Sequence, residues 1–191
     1  QITVDFAADS ASVLLDACGD GLHRRGYRVQ PGAAPVRETT AAAMVLLSGW
    51  PAMEGEIFWD PCCGSGTLAI EAAMLTADIA PGLIRWFDCE FWSFLDKSAI
   101  ERERSAARER ALAGIDKPAP VIRASDIDPE AVSIADANMK RAGVQGRIKL
   151  FRADARTIAD PGQPSLILTN PPYGERLGDN VEAEELVRDL F

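Results

Sequence analysis

Two short stretches hold the residues best able to do chemistry. The first is DPCCGSGT (60–67), which follows an apolar run and opens a helix. Gly64 and Gly66 let the backbone turn sharply and approach a ligand, and the helix start offers free N–H groups. Gly64, Gly66 and Ala69 satisfy the GxGxxA spacing of dinucleotide sites. A nicotinamide enzyme would also want an acid about 20 residues on, at the end of the next strand. Asp88 and Glu90 stand at that distance, but inside an aromatic stretch with no strand before them. Asp60, directly at the strand end in front of the glycines, repels a pyrophosphate and favours a cation.

Two further strands end in acids, Asp126 in VIRASD and Asp154 in IKLFRAD. Each alone is an ordinary cap or turn residue. Three acids at successive strand ends beside a glycine turn fit a ligand that carries an ammonium, a sulfonium, ribose hydroxyls and an adenine amine. S-adenosylmethionine is such a ligand, and ligands of open α/β sheets bind outside the carboxyl ends of the strands.

The second stretch, TNPPYG (169–174), leaves the apolar run SLILT. Pro171 and Pro172 lack a backbone N–H and hold the exit stiff and extended, so it cannot pair as a strand. It can fix acceptors in one direction. An exocyclic nucleobase amine is a poor nucleophile because its lone pair is delocalised into the ring. Two fixed acceptors, the Asn170 side-chain oxygen and the Pro171 carbonyl, would favour a pyramidal nitrogen aimed at a methyl group. Tyr173 would stack on the base, which must be unstacked from its nucleic acid to reach the pocket. No side-chain nucleophile is needed, and His23 is not required as a base.

The elements that position these residues follow from patterning. Strands are expected at 57–60, 121–126, 148–154 and 165–170, with helices from Thr67 to about Ala77 and over 129–142. Pro129 suits a first turn and Gly143 a C-terminal cap, and Ala131, Ala135, Asn138, Met139 and Ala142 recur at helical spacing. Alternating strands and helices predict a mostly parallel sheet flanked by helices, an α/β Rossmann-like fold. A hairpin is expected over QITVDF and SVLLDA around a DS turn, and a helix over 38–47. Two insertions break the alternation. IRWFDCEFWSF (84–94) is expected to dock by packing its aromatic rings on the domain, and the charged helix in 97–114 to present a solvent face. HRRGYR (23–28) reads either as a phosphate-contacting patch or as arginines paired with acids. The chain stops at VEAEELVRDLF, inside a nascent helix, so a fragment truncated at the C-terminus is expected.

With 191 residues, 47% apolar and 26% charged, one domain with a sizeable core is expected. No run of about 18 apolar residues and no signal pattern occurs, which predicts a cytoplasmic protein with no membrane partner. Four cysteines without CxxC spacing and one histidine predict reduced thiols and no metal site. A net charge of −9 excludes gripping nucleic acid with the whole surface. Phosphate contacts must then lie in a local basic patch or on another domain.

DPCCGSGT, SDIDP, RADA and TNPPYGERLG resemble S-adenosylmethionine-dependent amino-methyltransferases. GDGLHRRGYR, APVRETTAAAMVLLSGW and IEAAMLTADIAPGL are similar to the bacterial 23S (large-subunit) rRNA guanine-N2 methyltransferase family, whose intact chain carries an N-terminal THUMP domain. The resemblance runs from about residue 13 to 178. It implies transfer of a methyl group to guanine N2 in rRNA. Asn170, Pro171, Pro172 and Tyr173 would form the base pocket. Asp60, Gly64, Ser65, Gly66, Thr67, Asp126, Ile127, Asp154, Ala155 and Thr39 would contact the cofactor, with 37–39 closing over it. It also implies a hairpin and linker (1–34) after a THUMP domain, then a partial catalytic domain (35–191). An adenine-N6 DNA methylase and a non-catalytic RNA-binding module remain the alternatives.

Overall fold

The computed structural model describes residues 2–28, 36–51, 54–157, 165–171 and 188. Its centre is a four-stranded parallel sheet in the order β5-β4-β3-β6. The strands are β3 (Ile57–Asp60), β4 (Val121–Asp126), β5 (Ile148–Arg152) and β6 (Ser165–Ile167). From β3 the chain runs outward through β4 to β5, then returns to place β6 on the other side of β3. β3 is therefore paired on both edges, and all four of its residues are buried. That explains an apolar run broken only by its terminal acid.

Helix α1 (Glu38–Leu47) packs on α2 (Thr67–Thr76), which follows β3, and α4 (Pro129–Ala142) joins β4 to β5. In α2 every residue from Thr67 to Met74 is buried. With no polar stripe, it is a core helix rather than an amphipathic surface one. Helix α4 begins at Asp128, whose side chain accepts the Glu130 amide, has Pro129 in its first turn, and ends on Gly143 at φ 73°. Phe58, Ile70, Ile122 and Met139 are fully buried between these layers, each worth about 1.5–3 kcal/mol by area removed from water. Trp50 meets Phe58 edge-on at 5.2 Å.

The hairpin β1 (Ile2–Ala7) and β2 (Ser10–Leu15) forms as expected, with Ile2 opposite Leu15, and every residue in both strands is exposed. Tyr27, by contrast, is fully buried and belongs to the main core, so residues 25–28 are part of the packed unit.

The charged helix α3 (Lys97–Ile115) is solvent-facing along most of its length and buries Ala111 and Gly114. The aromatic insertion departs from expectation. Trp86, Phe91 and Phe94 are 63%, 69% and 69% exposed. Polar contacts dock this segment instead. Arg104 reaches Glu90 from its Nε at 2.6 Å, and both side chains are nearly buried. Arg85 donates to the carbonyls of Cys18, Asp20, Gly21 and Arg24 at 2.7–3.2 Å. Among the described residues, no helix is long and apolar enough to cross a membrane.

Candidate active site

Strand register sets out the site. Asp60 pairs with Ala124, so Asp126 stands two residues further along β4. Asp126 pairs with Arg152, so Asp154 stands two residues beyond β5's partner position. Trp59 pairs with Ile167, and the Leu168 amide still donates to the Trp59 carbonyl at 3.0 Å. Asn170 is thus two residues beyond the level of Asp60. Steps of two keep side chains on one face of a pleated sheet. By register, Asp60, Asp126, Asp154 and Asn170 all fall at or just beyond the carboxyl ends of their strands. The order in which strands are added reverses between β4 and β6 on either side of β3, which makes this the topological switch point where such sheets bind ligands.

The loop from Asp60 to Gly66 is tied over the end of β4. Cys63 N donates to the Ser125 carbonyl at 2.8 Å, and Gly64 N donates to Oδ2 of Asp126 at 2.8 Å. The two glycines serve different ends. Gly66, at φ 81°, would place a Cβ 3.1–3.2 Å from Met139 and Ala135, so it permits the close approach of α4. Gly64, at φ 51°, has nothing within 4 Å of that position, so its backbone faces open space.

Asp60 is 1% exposed. Its carboxylate accepts the Thr169 hydroxyl at 2.7 Å. Burial pushes its pKa up to about 7 against those hydrogen bonds, with Asp126 adding repulsion. Among the described residues no cation pairs with this buried acid, and its carboxylate oxygens fit a cationic ligand. Burial likewise pushes the Cys62 thiol up to about 12 and the Cys63 thiol further, so both stay protonated and inert.

Asp126 also accepts the Asp128 amide on Oδ1 at 3.0 Å, and each of its oxygens keeps a lone pair for a hydroxyl. Asp154 is held by Arg156, 2.6 Å from Nη2 and 3.0 Å from Nε, and these bonds lower its pKa. Ala155 is buried where the following turn starts, and Ile127 is 56% exposed beside Asp126. Asn170 and Pro171 are half-buried at the exit of β6. Pro172 and Tyr173 lie outside the described residues.

The Ser65 and Thr67 side chains are engaged by Arg28. Their hydroxyls take Arg28 Nη1 and Nη2 at 3.3 and 3.2 Å. Arg28 also pairs with Glu38 at 3.1 Å and donates to the Val36 carbonyl. Thr39 follows Glu38 in the first turn of α1 and is half-buried. Arg25 lies 3.4 Å from Glu71, which also accepts the Tyr27 hydroxyl at 3.0 Å. Of the two readings of HRRGYR, ion pairing holds for Arg25 and Arg28.

Sequence reasoning gave no role to Thr169, to Asn138 or to Arg28 as a clamp on the glycine loop. Asn138 is 1% exposed and donates to the Ser65 carbonyl at 2.9 Å. An amide at an apolar position of α4 was its signal, since a buried amide needs a partner.

The family model for the RMKL-like methyltransferase domain matches residues 25–191. The chain belongs to this family. The ribosomal RNA large subunit methyltransferase K/L of Methylococcus capsulatus is 46% identical over 182 residues, covering 94% of this chain and 24% of that protein. A solved protein from Listeria monocytogenes, described as a predicted N6-adenine-specific DNA methylase, superposes with a TM-score of 0.87 at 37% identity. It covers 99% of this chain and 48% of its own. SMU.472, described as a methyltransferase and solved in complex with SAH, gives a TM-score of 0.86 at 36% identity over 98% of this chain and 48% of its own. The chain thus spans between about a quarter and a half of the relatives it matches. Its fold is that of S-adenosylmethionine-dependent methyltransferases.

Proposed function

We propose that this chain binds S-adenosylmethionine across the carboxyl ends of β3, β4 and β5. It would transfer the methyl group to the exocyclic N2 amine of a guanine in large-subunit rRNA. One observation carries the reading: the Thr169 hydroxyl joins Asp60 of the cofactor row to the strand exit that bears Asn170 and Pro171, across the switch point.

The cofactor supplies an electrophilic methyl group whose sulfur departs as a neutral thioether. Asp60 would neutralise the methionine end of that ligand, Asp126 accept from ribose hydroxyls and Asp154 from the adenine amine. Gly64 would let the backbone come close. Asn170 Oδ1 and the Pro171 carbonyl would accept hydrogen bonds from the two amine N–H groups and aim the nitrogen lone pair, catalysis by positioning. The methylated amine then loses one proton to water, so no side-chain base is required. Tyr173 would stack on the base.

Guanine rests on the resemblance carried by the TNPPYGERLG stretch, and large-subunit rRNA on what the K/L relatives are called. The Listeria methylase favours a second reading, adenine N6 in DNA, because the amine chemistry is the same. Treating rRNA and DNA with the protein, digesting to nucleosides and identifying the product by mass separates them. N2-methylguanosine in rRNA is expected. N6-methyladenine in DNA alone would overturn the reading. RNA binding with no heat from S-adenosylmethionine would favour a non-catalytic module.

A further inference from the structure

We infer that the pocket between residues 23–28 and the start of α1, with the exposed aromatic rings beside it, binds single-stranded RNA outside the methyl-transfer cleft. A phosphodiester would enter the pocket and unpaired bases would stack on the rings. This rests on the RNA reading above and names where the strand flanking the target runs.

The pocket is about 390 Å³, and His23, Arg24, Arg28, Arg37 and Glu38 line it. Three guanidiniums against one carboxylate is a strong local excess in a chain of net charge −9. Glu38 is taken by Arg28. Among the described residues Arg24 pairs with Asp20 alone, and that exposed pair holds it weakly in water. Arg37 makes no ion pair among the described residues. The first turn of α1 has no side-chain cap, so its amides add to the positive potential. Among the described residues the lining includes neither the 60–67 loop nor Asn170, and Arg28 forms the wall between the pocket and Ser65 and Thr67 of that loop.

Beside it, the four-carbonyl grip of Arg85 fastens the aromatic insertion to residues 18–24, and Gly26 lies against the Ile84 carbonyl. That sets Ile84 and Arg85 against Arg24 and Gly26 of the pocket wall, with Trp86 the next residue along the chain and Phe91 beside its ring. Their rings stand 6.1 Å apart, and Arg104 lies 4.4 Å from the Trp86 ring. A ring held by an arginine on one side is a stable platform for a base. Basic pockets interleaved with exposed aromatic rings bind single strands with little sequence preference. Unpaired RNA fits this surface because phosphates match its charge and bases match its rings, and a target base must be unstacked in any case.

The test is fluorescence anisotropy with a labelled single-stranded RNA of about 12 nucleotides across a salt series, with S-adenosylmethionine titrated calorimetrically in parallel. Arg24→Ala should weaken RNA binding several-fold and flatten the salt slope by roughly 0.7, one lost phosphate contact on a single strand. Cofactor affinity should be unchanged, and Arg24→Lys should keep most of the RNA affinity. Trp86→Ala should weaken RNA about tenfold with the salt slope intact. Unchanged RNA binding in these variants would overturn the pocket and leave the methyl-transfer reading standing. Loss of cofactor binding with RNA unaffected would reassign the pocket to the cofactor. Failure of the wild type to bind RNA would overturn both.

Discussion

The Thr169 hydroxyl donates to Asp60 at 2.7 Å and accepts from the Cys62 amide at 3.2 Å. One oxygen therefore binds the end of β3, the first turn of the glycine loop and the exit of β6. Cofactor loop and base corner cannot shift independently while it is in place. Thr169→Val should weaken S-adenosylmethionine about tenfold, the scale of a lost bond to a buried carboxylate, and slow turnover as well. Thr169→Ser should restore both, as read by calorimetry and methyl transfer.

Roles should separate between the two sides of this bridge. Asp60→Ala should abolish cofactor binding. Asn170→Ala should leave it intact and lower kcat about 100-fold, the scale of one lost preorganised contact. Equal loss of cofactor affinity in both variants would contradict the assignment.

Asp60 also predicts a pH dependence. Its pKa is raised in the folded chain from 3.8 to about 7 by burial, so the folded state binds the extra proton. The stability this contributes is fully present below the unfolded value and is lost as pH rises through the folded one. Without cofactor, wild type should lose a few kcal/mol between about pH 4 and pH 7 relative to Asp60→Asn. Denaturant unfolding of the two proteins across that window reads the difference. S-adenosylmethionine, favouring the ionised acid, should bind wild type more tightly as pH rises through this range.

Arg28 is tested by stability. Its pair with Glu38 leaves the two side chains 16% and 6% exposed, and it also holds Ser65, Thr67 and Val36. Arg28→Ala strands a buried carboxylate and should cost about 3 kcal/mol in denaturant unfolding. In Arg28→Ala/Glu38→Ala the loss should be smaller than the sum of the single losses.

Much of the frame was legible in local pattern. Helix α1, strands β3 and β4, and helix α4 fall where periodicity, Pro129 and Gly143 place them. Strand β6 is shorter than its apolar run: pairing ends at Ile167, the Leu168 amide makes one further bond, and the Thr169 side chain takes over. The aromatic run misled because hydrophobic character alone does not say what covers a residue. Arg85 and Arg104, using charge and carbonyls, dock that segment and leave Trp86, Phe91 and Phe94 in water.

Residue types and short spacings by themselves determined the alternation of elements, the acids at three strand ends, the glycine turn and the stiff Asn170-Pro171 exit, because each depends on neighbours a few positions away. Only the tertiary structure decided that β6 lies on the far side of β3 from β4, that each polar group stands two residues beyond its neighbour's level, and that Thr169 reaches Asp60 across 109 residues of chain. Strand order and register are set by packing and loop closure over long separations, and no local pattern encodes those contacts.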